Sequence, residues 1–198
     1  MFDVVFSLGV IGVILWWLMP LLCIAIAIES KGWPLFFQKR TGYAGKTFWC
    51  LKMRSMRVNR EADQRQATDT DDRITRLGRF IRRTNIDELP QFFNVLFGQM
   101  SVVGPRPHML AHTQYYSVLI DRYMDRHTVK PGLTGLAQVN GYHGETSQLW
   151  KMRRRVELDL HYVEEWSFWM DIKIVWQTVC CRWKQAPVEY VEWNRVTS

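Results

Sequence analysis

The longest uninterrupted pattern in the chain is apolar: residues 4–28 carry no charge, and Asp3 and Glu29 bound the run. About 20 such residues suffice for a helix to cross a bilayer. Pro20 sits well inside the run, where it removes a helical hydrogen bond and crowds the preceding turn. A kinked spanning helix is the default reading. A break at Pro20 would instead turn the segment back, so that it enters and leaves on one face. The basic start and small-residue cleavage pattern of a signal peptide are missing. Lys31, Gly32 and Trp33 then mark the exit through the head-group region.

Beyond this boundary the pattern changes to strand-like runs at residues 35–40 and 47–54. They flank the glycine-bearing stretch 41–46 and predict a small β-hairpin. Residues 57–72 are polar without periodicity and read as a loop. From Asp71 the period is helical: Ile74, Leu77, Phe80 and Ile81 line one side, and Arg73, Arg76, Arg79 and Arg83 another. Residues 82–98, RRTNIDELPQFFNVLFG, predict a short helix with Asp87 at or near its N-cap and Gly98 at its far end. Leu89, Phe92, Phe93 and Leu96 form its buried stripe. Residues 113–127 read as an amphipathic helix, and residues 130–141 as a glycine-rich loop that can turn N–H groups toward a phosphate. Two helices follow, at 148–165 and 168–184, with Ser147 and Ser167 as N-caps. Trp169, Trp176 and Trp183 recur every seven residues in the second, as they would in an interfacial helix or a core stripe.

Composition narrows the partners. At 198 residues and 47% hydrophobic the chain suits one catalytic unit with an appendage, divided here as 1–30 and 31–198. A net charge of +7 points to anions, and 13 of the 26 Lys and Arg fall within residues 39–83. Beside a membrane segment, such a stripe fits acidic lipid or bound phosphate rather than DNA, and no nucleic-acid reading motif occurs. The four cysteines lack metal spacing and read as reduced structural residues of a cytosol-facing protein. The five histidines are scattered and receive no role.

The candidate chemistry lies around Asp87 and Glu88. A carboxylate at a helix N-terminus with Arg83 beside it stays ionised, which suits a nucleophile or a metal ligand. The same residues also suit an ordinary helix cap. Arg106, framed by Pro105 and Pro107, is a stiffly presented guanidinium suited to bidentate phosphate binding. Lys52 and Arg54 share a strand face and either meet an anion together or keep an edge strand soluble.

Several blocks carry a resemblance that runs nearly end to end: FDVV opening an apolar run with a mid-run proline, FFQKRTG, KMRSM, TRLGRFIRRTNIDELPQFFNV, GQMSVVGPRP, VKPGLTGLAQVNG and LDLHYVEEWSFWMDIKI. In these the chain resembles the bacterial sugar transferases, the monotopic phosphoglycosyl transferases. The resemblance implies a mainly helical fold with a small β-hairpin, a re-entrant N-terminal membrane helix, and amphipathic helices docked on the cytoplasmic face of the bacterial inner membrane. It implies transfer of a hexose 1-phosphate from a UDP-sugar to undecaprenyl phosphate, the first membrane step of exopolysaccharide or glycoconjugate assembly. Asp87 would be the nucleophile, giving a covalent aspartyl phosphosugar and releasing UMP. Glu88 would assist as metal partner or acid-base group, with Mg²⁺ held mainly by Asp87. Arg83, Arg106, Lys52, Arg54, Lys130 and Gln138 would serve the phosphates. The implied partners are UDP-sugar, polyprenyl phosphate and the phospholipid membrane, with no nucleic acid and with a homo-oligomer left open. UDP-glucose or UDP-galactose is the expected donor. Met1-Phe2 stands where the family usually has a basic pair, which predicts weaker anchoring to acidic lipid there. The rival reading is a non-catalytic basic membrane adaptor.

Overall fold

In the computed structural model, which describes residues 1–58, 71–144 and 148–180, helical structure runs unbroken through the N-terminal apolar segment. α1 (Phe2–Val10), a π-helical turn at Ile11–Leu15 and α2 (Trp16–Glu29) follow one another directly. Pro20 lies inside α2 without ending it. Its ring crowds the carbonyl four residues back, that of Trp16, and the wider π-turn ends just before that residue.

One side of this 28-residue helix packs on the rest of the protein. Leu15 and Ile26 are buried, and Phe2, Phe6, Ile11 and Met19 join the core around Phe92, Val102 and Ile174. The opposite side, with Val4, Leu8, Val13, Trp16, Leu21 and Ile24, is apolar yet exposed. Both ends are tied to the same body. Asp3 Oδ1 accepts from Val102 N at 2.9 Å and from Ser101 Oγ at 3.0 Å. At the other end the Glu29 carboxylate accepts from Leu77 N at 3.1 Å, and Arg54 donates to the carbonyls of Ser30 at 2.6 Å and Lys31 at 2.7 Å. A guanidinium at a helix C-terminus satisfies carbonyls that the helix itself leaves open and complements its dipole.

The expected hairpin forms from β1 (Leu35–Thr41) and β2 (Thr47–Met53), antiparallel, with Phe36 opposite Lys52 and Arg40 opposite Phe48. α3 (Arg76–Arg83) starts at Thr75, whose hydroxyl accepts from Gly78 N at 2.9 Å. Ile74 and Ile81 are buried as the periodicity predicts, whereas Phe80 is exposed.

The Asp-Glu segment departs from the expected single helix. Asn85 adopts a left-handed φ of 55° and feeds a 3-10 turn at Ile86–Glu88, and α4 (Gln91–Leu96) begins only after Pro90. Asp87 therefore makes no cap hydrogen bond, because the chain turns again between it and the helix. The glycine-rich stretch also differs from expectation. β3 (Ser101–Val103) pairs in parallel with β4 (Gly132–Thr134), so part of the predicted loop is a strand. Close approach demands the glycine: a Cβ on Gly132 would lie 2.1 Å from Gly104 N.

α5 (Leu110–Leu119), the short α6 (Leu136–Val139), α7 (Leu149–Glu164) and α8 (Phe168–Cys180) complete a mainly helical fold. The end of the amphipathic helix expected over 113–127 instead belongs to a separate 3-10 turn at Tyr123–Thr128. Ser167 caps α8 by accepting from Met170 N at 3.2 Å. Trp169, Ile172, Trp176 and Val179 face outward, so this stripe is surface and not core. It adjoins the N-terminal helix where the Phe2 and Phe168 rings meet edge to face, with centroids 5.9 Å apart. Ser147, Trp183 and most of the polar 57–72 stretch lie outside the described residues.

Candidate functional site

Three elements converge on the Asp-Glu pair. β2 brings Lys52, the 3-10 turn presents Asp87 and Glu88, and the Gly-Pro-Arg-Pro segment after β3 brings Arg106. Glu88 is fully engaged: Lys52 Nζ donates to Oε1 at 2.6 Å, Arg106 Nη1 donates to Oε2 at 2.9 Å, and Arg106 Nη2 donates to Oε1. Burial pushes the Glu88 carboxyl up, but Arg106 and Lys52 outweigh it and hold the group well below the usual carboxylate range. Glu88 in turn raises Arg106 against the effect of its burial. This is a forked, charge-assisted pairing with a third donor added.

Asp87, one residue away, is in the opposite state. It is 6% exposed, and among the described residues nothing hydrogen-bonds or ion-pairs with its carboxylate. Burial pushes it up to about 6, with Glu88 adding to the rise and Lys52, Arg82 and Arg106 opposing it. The helix cap expected here is absent, because the turn supplies none, and desolvation outweighs the neighbouring cations. The outcome is a basic, unengaged carboxylate that is still mostly ionised at neutral pH.

Both residues line a cleft of about 1040 Å³. Among the described residues its other ionised lining groups are cations, including Arg40, Lys52, Arg82, Arg83, Arg106 and Arg155. Of the residues singled out from sequence, Asp87, Glu88, Arg83, Arg106 and Lys52 come together here. Arg54 also lines the cleft, but its hydrogen bonds go to the carbonyls at the end of the N-terminal helix. Lys130 lies beside Gly98, and Gln138 donates to Leu133 O at 3.0 Å; neither lines the cleft. Arg82, Arg40, Arg155 and three histidines, His108, His112 and His143, are lining residues that sequence reasoning left without a role. Only Arg82, paired with Arg83 ahead of the Asp-Glu turn, carried a signal that could have singled it out.

A second ion pair sits behind the Arg106 loop. Arg126 donates to Asp159 Oδ2 through Nη2 at 2.5 Å and Nε at 3.0 Å, and to the Arg106 carbonyl through Nη2 at 2.8 Å. Its Nη1 lies 2.9 Å from His108 Nδ1. Because arginine only donates, His108 Nδ1 accepts and the ring proton is on Nε2. The backbone that presents Arg106 is therefore held from inside the protein.

For a metal, no group of three or more His, Cys, Asp or Glu side chains converges among the described residues. Mg²⁺ needs no such cage, since it keeps waters and binds through one or two carboxylates and substrate phosphates. Asp87 fits that requirement. Glu88, with both oxygens already accepting from cations, is the less available donor.

A cation-walled cleft around one unengaged, basic carboxylate has the charge to receive a polyanionic substrate. The comparisons agree with that class. The family model for bacterial sugar transferase matches residues 1–185, and the chain belongs to this family. It is similar to UDP-glucose:undecaprenyl-phosphate glucose-1-phosphate transferase of Klebsiella pneumoniae, at 56% identity over 162 residues, which covers 80% of this chain and 35% of the relative. The protein of that description from Escherichia coli (strain K12) is 54% identical over 165 residues, 81% of this chain and 35% of the relative. Exopolysaccharide production protein PSS of Rhizobium leguminosarum bv. phaseoli is 43% identical over 183 residues, 90% of this chain and 91% of the relative. The chain thus spans about a third of the length of the first two relatives.

Proposed function

We propose that the protein transfers a hexose 1-phosphate from a UDP-sugar to undecaprenyl phosphate at the membrane surface, as a step in exopolysaccharide assembly. The observation that carries this reading is the state of Asp87: buried, unengaged and raised to about 6, beside a Glu88 carboxylate that is fully engaged and held low. An ionised oxygen of Asp87 attacks the β-phosphorus of the UDP-sugar. The bond from that phosphorus to the bridging oxygen breaks, UMP leaves, and an aspartyl phosphosugar remains. An oxygen of the lipid phosphate then attacks the same phosphorus and returns Asp87 as a carboxylate. Lys52, Arg82, Arg83 and Arg106 stabilise the phosphate charge throughout. Mg²⁺, held by Asp87 and the diphosphate, would neutralise further charge. Glu88, kept ionised, orients Arg106 and Lys52 and does not deliver a proton. Glucose is the favoured sugar, since the relatives at 54–56% identity are named for it.

The tie at both ends of the N-terminal helix supports a monotopic attachment; the re-entrant path and the cytoplasmic face are taken from the family resemblance, since the helix runs through Pro20 without a break. Both ends of the N-terminal helix are bonded to one polar body, while its outer side is apolar and exposed. A helix that crossed the bilayer would have to leave one of those ends behind.

Purified protein, UDP-glucose, Mg²⁺ and undecaprenyl phosphate should release UMP, and without the lipid an adduct of hexose phosphate mass should remain on the protein. Asp87→Asn should abolish both. An Asn variant that still releases UMP through an adduct would end the nucleophile assignment.

A further inference from the structure

The cleft has two chemically different ends, and the hairpin register fixes their order. β1 runs along it, with Phe36 opposite Lys52 and Arg40 opposite Phe48. Phe36 and Arg40 are four residue steps apart along the strand, roughly 13 Å. The Phe36 end adjoins the end of the N-terminal helix and is walled by Trp33, Leu35, Phe36, Met56 and Val58, of which Trp33 and Val58 are largely exposed. Asp87 and Glu88 lie at this level through Lys52, with Arg82 and Arg83 beside them.

The Arg40 end is polar. Arg40 Nη1 donates to Pro107 O at 2.9 Å, and the lining here continues through His108, His112, His143 and Arg155. It contains no carboxylate among the described residues. Burial and the neighbouring guanidinium groups hold all three imidazoles below their usual range, hence neutral at pH 7. Arg155 donates to Gly144 O at 2.9 Å, whereas its Nε–H and the Nε2–H of His108 have no acceptor among the described residues. This end therefore has donors in excess of acceptors. Two buried donors without acceptors are costly unless a ligand or water completes them.

We propose that the two substrates reach Asp87 from opposite ends of this cleft: the nucleoside monophosphate half of the nucleotide sugar lies at the Arg40, His143 and Arg155 end, and the lipid phosphate enters between Trp33 and Phe36. A nucleotide is rich in acceptors, with base carbonyls, ribose oxygens and a phosphate, and matches the donor-rich end. A prenyl chain rising out of the bilayer matches the apolar end next to the membrane helix. The cleft volume is at the top of the usual range for one small ligand, about 300–1,000 Å³, and so has room for one substrate to arrive as the other's remnant leaves. The inference rests on the transferase reading above and adds to it the direction of each substrate.

The test titrates UMP into the full chain in lipid nanodiscs and measures the two half-reactions separately. His143→Ala, at a half-buried position, and Arg155→Lys should each weaken UMP binding by about tenfold. They should raise the KM for UDP-sugar to match and leave the KM for undecaprenyl phosphate unchanged. Phe36→Ala should do the reverse. Unchanged UMP affinity in both far-end variants, or UMP affinity lost in Phe36→Ala, would overturn the assignment of ends while leaving UMP release by the wild-type chain intact. Failure of the wild type to release UMP from any UDP-sugar would instead remove the transferase reading itself.

Discussion

Arg106–Glu88 and Arg126–Asp159 are both arginine–carboxylate pairs in the interior, and they touch through the Arg106 carbonyl. They differ in what they face. The side chains of the first pair are 21% and 12% exposed and line the cleft; those of the second are 1% and 2% exposed and sealed behind it. A sealed pair cannot exchange partners, so its effect is on shape: it holds the backbone that aims Arg106. An open pair can give up its carboxylate when a better anion arrives. Glu88 thus holds the Lys52 and Arg106 cations in place at the cleft, and Asp159, through Arg126, holds the backbone that carries Arg106.

The difference can be broken experimentally, beginning with the largest effect. Asp87→Asn should cost at least about 10⁴-fold in UMP release, as removal of a nucleophile does; residual activity above that level would move catalysis elsewhere in the cleft. Asp159→Asn leaves Arg126 buried without its anion and should cost about 3–5 kcal/mol of stability. Added UMP or pyrophosphate should not restore it, as read by thermal unfolding. Glu88→Gln should cost less, about 1–3 kcal/mol, because the partners it leaves are near solvent and can be satisfied by a phosphate. Here added pyrophosphate should recover most of the loss, and the same absence of rescue in both variants would erase the distinction.

The smallest effect concerns Asp87 and pH. Its carboxyl is raised in the folded protein from 3.8 to about 6, so the stability it contributes is full below 3.8 and is lost as pH rises through about 6. Asp87→Asn should therefore be more stable at pH 7 by at most about 3 kcal/mol, a Tm rise of up to about 10 °C. In the wild type, formation of the adduct should fall about tenfold per pH unit below 6. A flat profile down to pH 5 would show that the Asp87 carboxyl is not raised by its burial.

Periodicity found the hairpin, the arginine helix and the apolar segment, because each of these is set by which face is buried. It missed the strand at Gly132–Thr134, since that pairing depends on a distant partner, Ser101–Val103, and on glycine contacts that leave no hydrophobic pattern. The Asp-Glu-Leu-Pro sequence pointed to a helix start, yet the left-handed Asn85 feeds a tighter turn there, so the cap is missing and burial, which no local pattern shows, raises Asp87. Arg106 was legible from its proline frame. Arg155 and the three cleft histidines were not, because they come from α7, α5 and loops that meet only in the folded protein. Arg54 reads in sequence like a phosphate ligand, and its geometry shows how a buried helix end can claim the same fork.

The N-terminal helix is bonded at Asp3 and again around Glu29, Ser30 and Lys31. A freely tethered anchor answers a thicker or thinner bilayer by tilting alone. One fastened at both ends cannot tilt without carrying the whole body with it. With the membrane attachment and lipid substrate proposed above, hydrophobic mismatch would become a displacement of the cleft mouth relative to the head groups, and acyl-chain length would set how far a lipid phosphate must rise to reach Asp87.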